Sequence, residues 1–140
     1  MSSLFNKFKT NKDKDLGGVP VTFDANSDKT IPTFYIRRMG AGNTVYDSEL
    51  ARIVKPYQQQ IQKGTLSEQE SRNLNDKVFV RGILAGWENV YDENDKPIVF
   101  NEANALKLLS DLPLLYEELR SVAGNVSRFQ DEVLEETLKN

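Results

Sequence analysis

A chain of 140 residues with 28% charged and 39% hydrophobic side chains has the size and balance of one ordinary globular domain. It contains no cysteine and no histidine, which removes disulfides, thiolates, the commonest general base and the commonest zinc ligand, so any catalysis would rest on carboxylates, lysine or tyrosine. A net charge of −3, with neither a signal-peptide run nor 18 consecutive apolar residues, argues against nucleic acid and membrane as partners and predicts a cytoplasmic protein.

Residues 1–16 alternate Lys, Asp, Asn and Thr with few apolar positions and predict a flexible N-terminal arm. Leu4, Phe5 and Phe8 offer a second reading of that arm, as one helical turn with a sticky face. Gly17-Gly18 breaks the pattern, and residues 17–140 are expected to form a single, mostly helical domain. Val19, Val21 and Phe23 alternate with polar or proline positions, Asn26-Ser27-Asp28 is a turn, and Ile31 to Arg38 returns with Phe34 and Ile36 on one face. These make a β-hairpin, and Pro20 and Pro32, which lack ladder donors, belong at its edge.

Beyond the hairpin the pattern turns helical. Leu50, Ile53, Val54, Tyr57 and Ile61 lie three and four apart, giving an apolar stripe from Thr44 or Asp47 to Gln62, with a bend at Pro56 and an end at Lys63-Gly64. Ser67 and Glu70 form a Ser-x-x-Glu capping box that opens a helix to about Ala85, which packs antiparallel on the preceding one as an αα-hairpin. Gly86 is expected to close that helix in the left-handed region, before Trp87, a short hairpin turning at Asp92 to Lys96, and a helix capped by Asn101. Pro113 restarts a helix through Leu115, Leu119 and Val122, Gly124-Asn125 interrupts it, and Phe129, Val133, Leu134 and Leu138 fit a last helix.

No segment carries a catalytic or metal motif. Asp92-x-Asn94 begins like a calcium loop, but Lys96, Pro97 and Ala103 stand where an oxygen ligand, a glycine and a bidentate glutamate are needed. Gly40-Ala41-Gly42 lacks the spacing of either phosphate-binding loop, and adjacent acids such as Glu117-Glu118 point apart on a helix. No cofactor and no metal are therefore expected. Trp87 reads either as a core residue with its N–H on a carbonyl or as an anchor for a partner. Charge is uneven: residues 37–81 carry a net of +3 and residues 111–140 a net of −4, which permits weak head-to-tail homo-oligomers or merely two solvated faces.

One ordered set of residues carries a family resemblance. Trp87-x-x-Val90-x-Asp92, Pro97-Ile98-x-Phe100, Asn104-Ala105-Leu106-x-Leu108-Leu109, Leu112-Pro113, Phe129 and the terminal Lys139-Asn140 together resemble the tail assembly chaperones of long-tailed bacteriophages. These small proteins are encoded just before the tape measure protein, and the resemblance covers roughly residues 17–140. It implies a basic residue followed by proline in the first long helix, matched by Lys55-Pro56, and a basic residue at a strand end, matched by Arg37-Arg38. The fold expected from the elements read above is α+β, mostly helical, with four to five helices including the αα-hairpin, the N-terminal hairpin and the short second hairpin. The implied function is non-enzymatic: binding the tape measure protein, and the tail tube protein as a further contact, in the host cytoplasm during tail assembly. A structural tail or connector subunit retained in the virion is the alternative. Arg37, Arg38, Pro56, Trp87, Phe100 and Phe129 are the candidate partner-binding or motif residues.

Overall fold

The computed structural model describes residues 3–131, so of the last helix expected through Phe129, Val133, Leu134 and Leu138 only Phe129 is described, in a 3-10 turn rather than an α-helix, and the other three and the terminal Lys139-Asn140 lie outside the described residues. The chain is α+β, as its patterning predicts. Two short helices, α1 (Ser3–Phe8) and α2 (Lys12–Gly17), lead into β1 (Val19–Thr22) and β2 (Thr33–Ile36). Then come α3 (Thr44–Val54), a 3-10 turn (Lys55–Tyr57), α4 (Gln58–Lys63), α5 (Glu68–Gly82) and β3 (Leu84–Glu88). The segments α6 (Glu102–Asp111), α7 (Pro113–Gly124) and a 3-10 turn (Val126–Phe129) complete the described chain.

The sheet is antiparallel in the order β1-β2-β3. Val19 pairs with Ile36 and Val21 with Phe34, so the alternating apolar residues of both strands face the same way. Pro20 sits on the edge strand, where its missing donor costs no ladder bond. The third strand corrects the expectation of a helix running to Ala85. α5 ends at Gly82, and Gly86 is strand backbone opposite Tyr35 rather than a left-handed helix stop. The reason is tertiary: β2 would otherwise present an unpaired row of N–H and C=O groups, and Leu84 to Glu88 satisfies it. A bulge between Tyr35 and Ile36 absorbs one residue, after which the Arg37 N–H donates to the Ile83 carbonyl at 2.7 Å.

Helices α5, α6 and α7 cover one face of the sheet. Phe34, Ile36, Phe79, Ile83, Leu84, Ala105, Leu109, Leu119, Ala123 and Phe129 meet in one buried core. A satellite cluster of Ile53, Leu74 and Val78 joins α3 to α5, with Tyr46, Tyr57 and Leu66 around it. Tyr46 lies against Gly82 while Ile53 lies against Leu74 and Val78, so the two helices run antiparallel, as their short connection predicts. Capping agrees with the local signals: Asn43 accepts from the Tyr46 N–H at 3.1 Å, Asn101 from Asn104 at 2.7 Å, and Ser67 with Glu70 completes the capping box. Gly64 closes α4 at φ +67°.

The N-terminal segment departs from the expected mobile arm beyond its first turn. Asn11 caps α2 through its side chain, and its N–H donates to the Phe129 carbonyl at 2.7 Å. Asp15 is buried, with Thr10 donating to its carboxylate at 2.5 Å, and Lys14 Nζ donates to the Gln130 carbonyl at 2.8 Å. A polar run docks here because its hydrogen-bonding groups find partners on the last turn of the described chain, which periodicity in apolar residues does not register.

Two outcomes test this packing. A Cβ at Gly82 would stand 2.9 Å from the Tyr46 Cα, a backbone atom that cannot step aside, whereas Gly124 has open space. Gly82→Ala should lower stability by about 1–3 kcal/mol, as overpacking does, and Gly124→Ala should leave it unchanged or raise it by up to about 1 kcal/mol; urea denaturation of both variants gives the comparison. Burial, and then the hydrogen bond and charge of Asp76, push the Tyr116 phenol above its ordinary value, with the Arg120 guanidinium 5.4 Å over the ring opposing them. Because the folded pKa is raised, this contribution is complete below the ordinary tyrosine value of about 10 and is lost as pH rises toward the folded value. Stability should therefore fall above about pH 10, less steeply for Tyr116→Phe, and tyrosinate absorbance should show one tyrosine ionising late.

Candidate functional site

The residues singled out in the sequence fall in three places. Arg37 and Arg38 leave β2 side by side, and each bonds backbone carbonyls within the chain, while Arg38 Nε is buried without a partner. Arg37 Nε donates to the Leu16 carbonyl at 2.8 Å, and burial lowers the guanidinium's pKa from its ordinary value. Arg38 Nη1 donates to the carbonyls of Met39 at 3.0 Å and Ala123 at 3.2 Å, and its guanidinium lies 5.9 Å from the centre of the Phe129 ring. Phe129 itself is fully buried. Arg38 and Phe129 thus belong to one assembly that fastens the ends of β2, α7 and α2 together. Pro56 stands apart, in the 3-10 turn between α3 and α4, where its missing N–H is tolerated at the start of a new turn.

Trp87 and Phe100 form the third group. The Trp87 indole N–H donates to the Ile98 carbonyl at 2.8 Å, and its ring meets Phe34 edge-on at 5.8 Å and Phe100 at 4.9 Å. Trp87 is half-buried, so of the two readings it fits the core one, with Phe100 as its partly exposed lid.

Trp87 also positions a surface that no single residue announces. Its hydrogen bond to Ile98, together with Ile98 N–H to Val90 O at 2.8 Å and Asp92 N–H to Lys96 O at 2.8 Å, closes a small hairpin with a bridge between Tyr91 and Pro97. The Asp92 carboxylate accepts from the N–H groups of Asn94 and Lys96 at 2.8 and 3.0 Å, so it holds the turn from within. The Tyr91 hydroxyl donates to Asp28 at 2.7 Å and Asn26 donates to the Asn89 carbonyl at 2.8 Å, pinning this hairpin to the first one. Hydrogen bonds from Thr30 and then Tyr91 hold the Asp28 carboxyl below its ordinary value.

Between the hairpin and α6 lies an open cleft of about 580 Å³, lined by Tyr91, Asp92, Glu93, Pro97, Ile98, Val99, Lys107, Leu108, Asp111 and Leu112 among others. Its lining mixes apolar side chains with three acids and one lysine. Lys107 is occupied by Asp111 at 2.8 Å, and the hydrogen bond and charge of Asp111, with a smaller contribution from Glu93, raise its pKa. Of the cleft's lining residues Val99 is 71% exposed and Leu112 is also uncovered, and Leu114, two residues beyond Leu112 in the first turn of α7, is 79% exposed. A smaller hollow of about 350 Å³ lies between α5 and α6, around Leu74, Asp76, Lys77 and Leu106.

Sequence reasoning missed the role of Leu114, although a signal existed: Leu114 and Leu115 follow Pro113 directly, and neighbours on a helix cannot both face the core. It also missed the buried Asn43 and Asp15. Asn43 had the signature of a cap before Thr44, while Asp15 is one acid in a run of Lys and Asp with nothing to mark it. Among the described residues, no group of three or more acidic side chains is placed to hold a metal, and no helix is long and apolar enough to cross a membrane.

A family model described as YdaY prophage protein matches residues 41–140, and the chain belongs to that family. It is therefore a phage-derived protein. The match begins just before α3 and takes in the cleft, while α1, α2 and the first hairpin lie outside it. No curated protein and no solved structure matches the chain.

Trp87→Ala removes the edge contacts to Phe34 and Phe100 and leaves the Ile98 carbonyl without its donor. The cost should be about 3 kcal/mol, the lower end for aromatic truncation because the ring is only half-buried. Chemical denaturation measures it, and intrinsic fluorescence of the parent should be blue-shifted relative to the unfolded chain.

Proposed function

We propose that this protein is a non-enzymatic tail assembly chaperone that binds the tape measure protein in the host bacterial cytoplasm and leaves before the virion is complete. The observation that carries the reading is the open cleft between the second hairpin and α6, whose lining includes the uncovered Val99 and Leu112. A cleft of this kind suits the apolar face of an amphipathic helix, and a long helical client exposes more such surface than it can bury alone. Many copies bound weakly along one client would act through avidity, with no single tight contact. The phage origin of the family and the resemblance around Trp87, Pro97 and Phe100 support the same reading. So does the sequence's lack of histidine and cysteine, which leaves little material for catalysis. The tail tube protein, whose polymerisation would displace the chaperone, is the expected second contact.

Co-expression with the tape measure protein of its own phage tests the proposal. The client's soluble yield should rise and the two should co-purify in many-to-one ratio, with mass spectrometry finding little of this chain in mature particles. An unchanged client together with a fixed complement in finished virions would replace the chaperone reading with that of a structural tail or connector subunit.

A further inference from the structure

An uncovered apolar helix and an uncovered apolar cleft lie at opposite ends of this molecule. α1 carries Leu4, Phe5 and Phe8, which fall on one helical face and are 67%, 67% and 65% exposed. None of its residues is buried, and six residues are too few to hold a helix in water without packing. The surrounding charge is one-sided: residues 3–12 contain Lys7, Lys9 and Lys12 and no acid. The cleft has the opposite charge: its lining holds Asp92, Glu93 and Asp111 against Lys107, a net of −2, with Asp111 paired to Lys107 and Asp92 bonded to the turn, so that Glu93 is its acid without such a partner.

The fold keeps α1 away from its own cleft. α2 runs into Val19, which pairs with Ile36 at the end of the sheet where β3 begins at Leu84. The cleft hairpin comes after Glu88, which pairs with Thr33 at the other end. α7 repeats the separation: the Ala123 carbonyl accepts from the Met39 N–H beside the arm, while Leu114, two residues beyond the cleft's Leu112, lies roughly 14 Å away along the helix. Asn11 is fixed by its N–H to the Phe129 carbonyl at 2.7 Å, Lys9 and Thr10 join it to α1, and the Gln130 side chain donates to the Lys7 carbonyl of α1 at 2.8 Å. The three Cα–Cα steps from Phe8 to Asn11 extend by about 11 Å at most, which leaves Phe8 short of the far end.

We propose that α1 of one copy docks in the cleft of a second copy, head to tail, placing Leu4, Phe5 and Phe8 against Val99, Leu112 and Leu114. Such a contact is heterologous, so each bound copy still offers one free arm and one free cleft, and the assembly grows or closes into a ring. The apolar contact supplies the affinity, while the lysines of the arm and the acids of the cleft select the orientation and make it sensitive to salt. Because client helices and α1 would then compete for one cleft, the inference rests on the chaperone reading only in treating that cleft as a receptor for an apolar helix. The test contains no client, so the two can fail separately.

The experiment is sedimentation velocity of the full chain over a range of concentrations, alone and as two variants checked for folding by circular dichroism. Phe5→Asp with Phe8→Asp alters the arm; Val99→Asp with Leu114→Asp alters the cleft. The parent should sediment faster as concentration rises, with an apparent dissociation constant at least about tenfold lower than that of either variant, and weaken between roughly 0.05 and 0.5 M salt. Each variant alone should remain monomeric. Their equimolar mixture should form a heterodimer and nothing larger, since only one intact arm and one intact cleft remain. A parent that is monomeric throughout, folded variants that assemble like the parent, or a mixture that stays monomeric would overturn the proposal, and the chaperone reading would survive any of these if co-expression still raised client solubility. Should the cleft variant fail to fold, the arm variant decides by itself, because Phe5 and Phe8 take no part in the core.

Discussion

Asn43 is the point on which the two layers turn. Its side chain is fully buried and uses both amide hydrogens, donating to the Arg38 carbonyl at 2.9 Å and the Gly82 carbonyl at 2.9 Å, while its oxygen accepts from Tyr46. One amide therefore fixes the exit of β2, the end of α5 and the start of α3 relative to one another. A buried amide is stable only when satisfied, so these three segments can approach in essentially one arrangement. The placement of Gly82 against Tyr46 results from it, and so does the turn of the chain from α5 into β3.

From that point order spreads in two directions. Toward one end, Arg38, Ala123 and Phe129 gather the termini of β2 and α7, and α2 docks there through Asn11, Lys14 and the buried Asp15. Gly42 must be glycine for this closure: it sits at φ +98°, and a Cβ would lie 2.5 Å from the Asp15 carboxylate. Toward the other end, β3 carries Trp87 to the second hairpin, and the cleft forms where that hairpin leans on α6. The molecule is thus tightly tied at the end that holds the arm and open at the end that holds the cleft. Charge is distributed in keeping with this. Arg81, part of the basic middle segment, is spent on Glu102 at 3.1 Å and on Glu49 at 4.0 Å, joining α5 to α6 and α3. Such exposed or partly exposed pairs contribute little stability each, and their effect is mainly to fix register.

The boundary between α5 and β3 shows why some of the fold is legible in sequence and some is not. Ser67 and Glu70 announce the start of α5 because a capping box is made by residues three apart, and Asn101 and Pro113 announce α6 and α7 for the same local reason. The end of α5 has no such signal. Val78 to Ala85 is apolar and fits a helix or a buried strand equally well, and the choice falls to the open edge of β2. The candidate residues divide similarly. Trp87 stands out by its type and its core role comes from the Ile98 carbonyl, but the cleft it supports draws residues from a hairpin, a helix and the turn between α6 and α7, which no spacing rule connects.

Features set by neighbours within a few residues could be read from the order of residues alone: the α+β class, the first hairpin, the caps, the bend at Pro56, and the poverty of catalytic and metal-binding groups. Long-range hydrogen bonding and close approach settled the rest, and these exist only once the chain is packed. They made Leu84 to Glu88 a strand, buried Asn43 and Asp15, spent Arg37 and Arg38 on carbonyls of other segments, and left Val99 and Leu114 uncovered. A polar side chain's partner, and an apolar side chain's burial, belong to the whole packed chain, whereas periodicity and capping belong to a single helix or strand.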